Sequence, residues 1–118
     1  MPLRGTEWTC ASVNAEAVQE GAAPTLTIAA DGGVSGNSGV NRFGGTAEES
    51  GKSIRFSQMS STRMAGPPDR MKLEASFLAA LGNTRSFRVD GTLLTLMDQD
   101  GSVVATFLGQ APAKTPTP

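Results

Sequence analysis

Apolar and polar residues alternate with a period of two through much of this chain, and that alternation marks strands. Thr25–Ala29 reads TLTIA, with Leu26 and Ile28 on one face. Thr6–Val13 places Trp8, Cys10 and Ser12 together, and Lys52–Met59 does the same for Ile54, Phe56 and Gln58. The strongest strand signal comes late. Ser86–Val89 and Thr92–Met97 flank Asp90-Gly91, a pair suited to a two-residue type I′ hairpin turn. Asp98–Gly101 then turns the chain into Ser102–Leu108. Earlier, Asp31-Gly32-Gly33 turns Thr25–Ala29 back into Val34–Gly36, Asn41–Ala47 carries a further strand, and Ser60–Met64 is a short extended piece.

The period changes to 3.6 over Asp69–Leu81, which predicts the main helix. Pro67-Pro68 open it, Asp69 is placed to cap it, and Gly82-Asn83 ends it. Met71, Ala75 and Leu78 share one face, with Glu74, Phe77 and Leu81 beside them. Asn14–Pro24, rich in Ala and Glu, predicts a single helical turn stopped by Gly21 and Pro24. The fold class expected is α+β and mainly β: seven to eight short antiparallel strands curled around one core, with one α-helix against an opening.

Composition narrows this picture. The chain has 118 residues, the size of one domain, expected to span residues 1–109 ahead of a Pro-rich tail at 110–118. Its 14 glycines and 7 prolines favour short elements and many turns. A net charge of −1 offers no bulk field for nucleic acid, and one Trp, five Phe and no Tyr supply no stacking platform. Nucleic-acid binding is therefore not expected. With no His, a Ser-His-Asp triad and a His-based metal site are excluded; with Cys10 alone, so is an internal disulfide. No metal or cofactor is expected. Met1–Thr9 has no apolar run and reads as neither a signal peptide nor a membrane span. The expected location is the cell envelope or outside the cell if a targeting segment has been removed, and otherwise the cytoplasm.

Five short motifs carry a resemblance. Gly5-Thr6-Glu7-Trp8 opens the chain, followed by Gly39-Val40-Asn41-Arg42-Phe43-Gly44-Gly45 and Thr62-Arg63-Met64-Ala65-Gly66. Glu74, Phe77 and Leu81 come next, then Gly91, Leu94 and Leu96. In this order the pattern resembles the META domain, the family of HslJ-like, heat-shock-associated lipoproteins. The resemblance covers Gly5 to about Phe107. It implies an antiparallel, partly open β-barrel with one helix, in a protein secreted or tethered to the bacterial envelope. Two cysteines of the family pattern fall on Val40 and Gly66. If that pair forms a disulfide in relatives, its loss forgoes roughly 3–4 kcal/mol. The resemblance thus also implies that Val40 and Gly66 lie close together.

The candidate binding residues are Asn41, Arg42, Thr62, Arg63, Met64 and Glu74. Each has a competing structural reading. Asn41 suits a bend between glycines while Arg42 points to solvent, Met64 suits a core, and Thr62 suits a strand. Glu74, on the apolar side of the helix, is expected to snorkel, to pair with Arg63 or Arg85, or to work in a cavity. Cys10 reads as a buried small hydrophobe. Asp98-Gln99-Asp100-Gly101 starts like a calcium loop but has Gly109 where the twelfth-position Glu belongs, and it reads as a hairpin turn. No catalytic residues are assigned. The leading expectation is a monomeric, non-enzymatic domain that binds a protein or a small apolar ligand at one end of its barrel. The alternative is a stress-linked stability factor without a defined ligand.

Overall fold

The computed structural model describes residues 3–14, 16–18, 23–62 and 64–110. Nine strands and one helix follow in the order β1 (Glu7–Val13), β2 (Glu16–Ala17), β3 (Thr25–Ile28), β4 (Gly33–Asn37), β5 (Arg42–Ser50), β6 (Ser53–Ser61), α1 (Pro68–Asn83), β7 (Ser86–Asp90), β8 (Leu93–Met97) and β9 (Val103–Gln110). All pairings are antiparallel. The sheet runs β2-β1-β3-β4-β5-β6-β7-β8-β9, and β1 also pairs with β9, from Glu7↔Gln110 to Val13↔Ala105. The sheet therefore closes in a ring, with β2 joined only to the end of β1 at Ser12↔Ala17 and Val13↔Glu16. The fold is α+β and mainly β, as the alternation predicts.

One joint in the ring is thin. β6 meets β7 at the single register pair Ser53↔Ser86, supported by Ile54 N–H to Arg85 O at 3.0 Å and Phe87 N–H to Lys52 O at 3.0 Å. The helix is the connection across this joint, and it packs on β6, β9 and β1.

The inward positions of the alternating strands form the core. Trp8, Leu26, Ile28, Ile54, Leu94, Leu96 and Phe107 are all buried. Trp8 also satisfies its indole, donating from Nε1 to Leu3 O at 2.9 Å. Phe77 of α1 enters between Phe43 and Phe107, edge-on to both, with ring centroids 5.5 and 6.0 Å away. Gly36 explains part of the glycine density: a β-carbon there would meet the Thr25 carbonyl and lie 2.8 Å from the Phe43 ring. The glycine lets β3, β4 and Phe43 close together.

Several local expectations change. Glu16–Ala17 is extended, because pairing with the end of β1 outweighs a helical preference that a single turn cannot realise; residues 19–22 lie outside the described residues, as does the tail at 111–118. Gln58 does not face the core. Gly44 pairs with Ser60 but Thr46 with Ser57, so a bulge sets Gln58 at φ 54 and exposed. Met59 packs on the core in its place. Ser60 and Ser61 extend β6 rather than forming a separate piece.

The helix begins at Pro68 with Pro67 as N-cap, and Asp69 sits in the first turn without capping. Proline suits that position because its missing N–H has no helical partner anyway. The helix runs through Gly82 and ends at Asn83, with extended Thr84 rather than a left-handed glycine as its C-cap. There the hydroxyl donates to Ala80 O at 2.8 Å and Arg85 Nη1 donates to Gly82 O at 3.0 Å. Its buried face is Glu74, Phe77, Ala80 and Leu81, with Ala75 exposed. In the β7–β8 hairpin, Asp90 pairs with Leu93, so the loop is Gly91-Thr92 rather than Asp90-Gly91. Positive φ falls on Gly91 alone (60°), which is type II′ geometry rather than I′.

Candidate functional site

Four of the six candidate residues meet where the β4–β5 turn, the end of β6 and the helix converge. Asn41, 2% exposed, is the hub. Its Nδ2 donates to Glu74 Oε2 at 2.8 Å and to Met64 O at 3.2 Å. Its Oδ1 accepts from Met64 N–H at 2.7 Å and from the Thr62 hydroxyl at 2.9 Å. The side chain thus clamps both backbone groups of Met64. Ser38, fully buried, donates its hydroxyl to Glu74 Oε2 at 2.5 Å, and its oxygen also lies 3.3 Å from Asn41 N.

The chain segment explains the placement. Asn37 ends β4, and its Oδ1 accepts from Gly39 N–H at 2.8 Å, bending the chain so that Ser38 and Asn41 turn inward. Thr62 closes the other side, with Arg42 N–H donating to its hydroxyl at 3.2 Å and Thr62 N–H donating to Arg42 O at 2.9 Å.

Arg42 itself is exposed, as its structural reading has it, and contributes backbone only to the cluster. Arg63 lies outside the described residues. Arg85 does not pair with Glu74: it donates from Nη1 to Gly82 O and to Thr84 O, at the far end of the helix. Glu74 does not snorkel either; it is 8% exposed and held by Ser38 and Asn41. Met64 is not core but 60% exposed.

Beside this cluster lies a groove of about 400 Å³, lined by Asn41, Ser61, Thr62, Met64, Ala65, Met71 and Glu74. Among the described residues no group donates to Glu74 Oε1. Ser38, Ser61 and Met71 are not among the six candidate residues. Ser38 carries a legible signal, since Ser followed three residues later by Asn between glycines suits a local hydroxyl–backbone turn. A larger hollow of about 680 Å³ spans the β6–β7 joint, lined by Glu48, Glu49 and Arg55 among others, but these are exposed charges of both signs.

Asn41→Ala is expected to destabilise the domain by about 1–3 kcal/mol, since it strips a donor from buried Glu74 and both partners from the Met64 backbone. Urea unfolding measures this, and a loss under about 0.5 kcal/mol would mean water replaces the amide without cost.

Two other residues take non-catalytic places. Cys10 is buried with its Sγ 3.4 Å from Ser12 O, and burial pushes the thiol up from 9.0 to about 12. It is expected to stay unmodified by a thiol reagent at pH 8 until the domain unfolds. Because the folded value lies above the unfolded one, the unfolded chain loses its proton first as pH rises. Stability should then fall between pH 9 and 12 by up to about 1.4 kcal/mol per unit relative to Cys10→Ala. Equal pH dependence of the two proteins would refute this. Asp98 accepts from Asp100 N–H and Ser102 N–H, both at 2.9 Å through Oδ1, which makes this a hairpin turn. No group of three or more potential metal-ligating side chains occurs among the described residues. Nor is any described helix long and apolar enough to cross a membrane.

Val40 and Gly66 flank the same cluster. A β-carbon on Gly66 would stand 3.7 Å from Val40 Cβ and 3.1 Å from each of its methyls. The closeness implied by the resemblance holds.

The fold is shared with solved structures. An NMR structure of a protein from Burkholderia xenovorans superposes with a TM-score of 0.73 and 27% identity, over 93% of this chain and 85% of that one. A second NMR structure gives 0.70 and 22%, over 90% of each chain. The crystal structure of a DUF4847 family protein from Bacteroides vulgatus gives 0.60 and 19%, over 75% of this chain and 60% of that one. Among curated proteins there is no significant match. The META domain family model matches residues 1–111, from before β1 to beyond the end of β9. With the ring, the helix and all five sequence motifs inside that match, the chain belongs to the META domain family.

Proposed function

We propose that this META domain is a non-catalytic binding module that docks a protein segment or an apolar ligand in the groove beside Met64. The observation that carries the reading is the state of Met64: its side chain is 60% exposed while Asn41 fixes both its N–H and its carbonyl. An apolar side chain held out to solvent on a fixed backbone is prepaid contact surface, and methionine adapts to varied apolar partners. Membership of a family associated with envelope lipoproteins supports a place in the cell envelope or outside the cell.

Purified protein titrated with fatty acyl ligands and with fractionated envelope extract tests this. Saturable binding that Met64→Glu abolishes is expected. No saturable binding, or binding indifferent to Met64→Glu, would remove the groove as the site. A hydrolase screen showing turnover that Glu74→Gln or Cys10→Ala abolishes would replace this reading with an enzymatic one.

A further inference from the structure

We propose that the groove recognises a lysine side chain presented by a partner protein, with Glu74 Oε1 as the acceptor for its ammonium group. This inference rests on the docking role proposed for the groove and specifies its chemistry. Three observations carry it. Glu74 is more than nine-tenths buried yet forms part of the groove wall. Ser38 and Asn41 both donate to Oε2, which leaves Oε1 without a donor among the described residues. The described groove side chains include no cation that would compensate it.

The geometry selects among cations. A guanidinium binds a carboxylate best through both oxygens at once, and here one is already taken by two donors. An ammonium is a point charge that needs a single carboxylate oxygen, and the same lining holds the hydroxyls of Ser61 and Thr62 as further potential acceptors. Met64, Ala65 and Met71 in the same lining supply apolar contact for lysine's four methylenes. Met64 is 60% exposed, and a peptide backbone continuing past the lysine would cover it, which a free amine would not. The carboxylate is already oriented by two fixed donors, so little ordering is left for the binding step.

The test uses short capped peptides, identical except for one central residue: lysine, Nε-acetyl-lysine, norleucine or arginine. Amide shifts of Ser61 and Met64 report binding in the labelled protein. The lysine peptide is expected to bind saturably, and the other three at least tenfold more weakly. Glu74→Gln should abolish the preference, because its oxygen stays with Ser38 and Asn41 while its NH2 group turns the groove from acceptor to donor. The acetyl-lysine comparison on the unchanged protein keeps the test decisive even if that variant unfolds.

Equal binding of lysine and norleucine peptides would overturn the inference while leaving apolar docking intact, and no binding of any peptide would count against both. Cadaverine binding as tightly as the lysine peptide would overturn the protein partner. So would lysine binding that appears only in Arg63→Ala, since the chain's own arginine would then be the cation that Glu74 serves.

Discussion

Replacing Val40 and Gly66 together by cysteine, in a Cys10→Ala background, is expected to form a disulfide and raise the melting temperature by roughly 10–20 °C. The β-carbon separation of 3.7 Å falls within the range disulfides need. Gly66 has no positive φ, so a side chain there meets no backbone strain. Closing the segment 40–66 removes unfolded-state freedom worth roughly 3–4 kcal/mol.

The single changes should behave differently. Gly66→Cys alone pushes a β-carbon to 3.1 Å from both Val40 methyls, which is crowded, whereas Val40→Cys alone removes one of the methyls in its way. The pair is therefore strongly non-additive. Melting with and without reductant measures the gain. Free thiols after oxidation, or identical melting in both conditions, would refute the geometry. The bridge would staple the β4–β5 turn to the β6–α1 connection, a job now shared by Asn41, Ser38, Thr62 and Glu74.

Phe77→Ala is the largest loss expected, about 3–5 kcal/mol, a large share of the stability of a domain this size. Phe77 is fully buried and makes both edge-on aromatic contacts, to Phe43 from β5 and to Phe107 from β9. It therefore ties the helix to both sides of the ring. Glu74 lies one turn away on the same buried face, so the variant should also loosen the groove. Chemical denaturation gives the free energy, and amide shifts of Ser38 and Asn41 report the cluster. A loss below about 1 kcal/mol would show that the helix contributes little to the core.

Much of this arrangement was legible in the sequence for identifiable reasons. Leu26 and Ile28, or Leu94 and Leu96, alternate because one face of each strand is buried, and nothing interrupts their register. The period-3.6 segment announced the helix, and Glu74 was conspicuous as a carboxylate among apolar positions. What escaped was set by pairing rather than by local preference. The bulge at Gln58 shifts the inward phase to Met59, and no single strand's pattern records the partner's register. The helix runs through Gly82 because a threonine hydroxyl two residues later satisfies its end. Ser38 is absent from the candidate residues, since its bond to Glu74 joins positions thirty-six residues apart. Met64 read as core because methionine usually is, whereas here the Asn41 amide holds its backbone at the rim.

The closure of β1 onto β9 orders events during synthesis. β1 needs β3 on one side and β9 on the other, and Trp8 faces Leu26 across one pairing and Gly109 across the other. A chain leaving the ribosome can build the β3–β6 meander and the β7–β8 hairpin early, since each joins neighbours in sequence. Its first strand, however, stays half-paired until Val103–Gln110 has emerged, and such distant pairings form slowly. Trp8 is the one tryptophan of the chain and is wholly buried at the end of this process. Its fluorescence is thus a built-in clock for the final strand. Until that strand docks, the nascent domain exposes an unpaired β1 edge of the kind that chaperones cover.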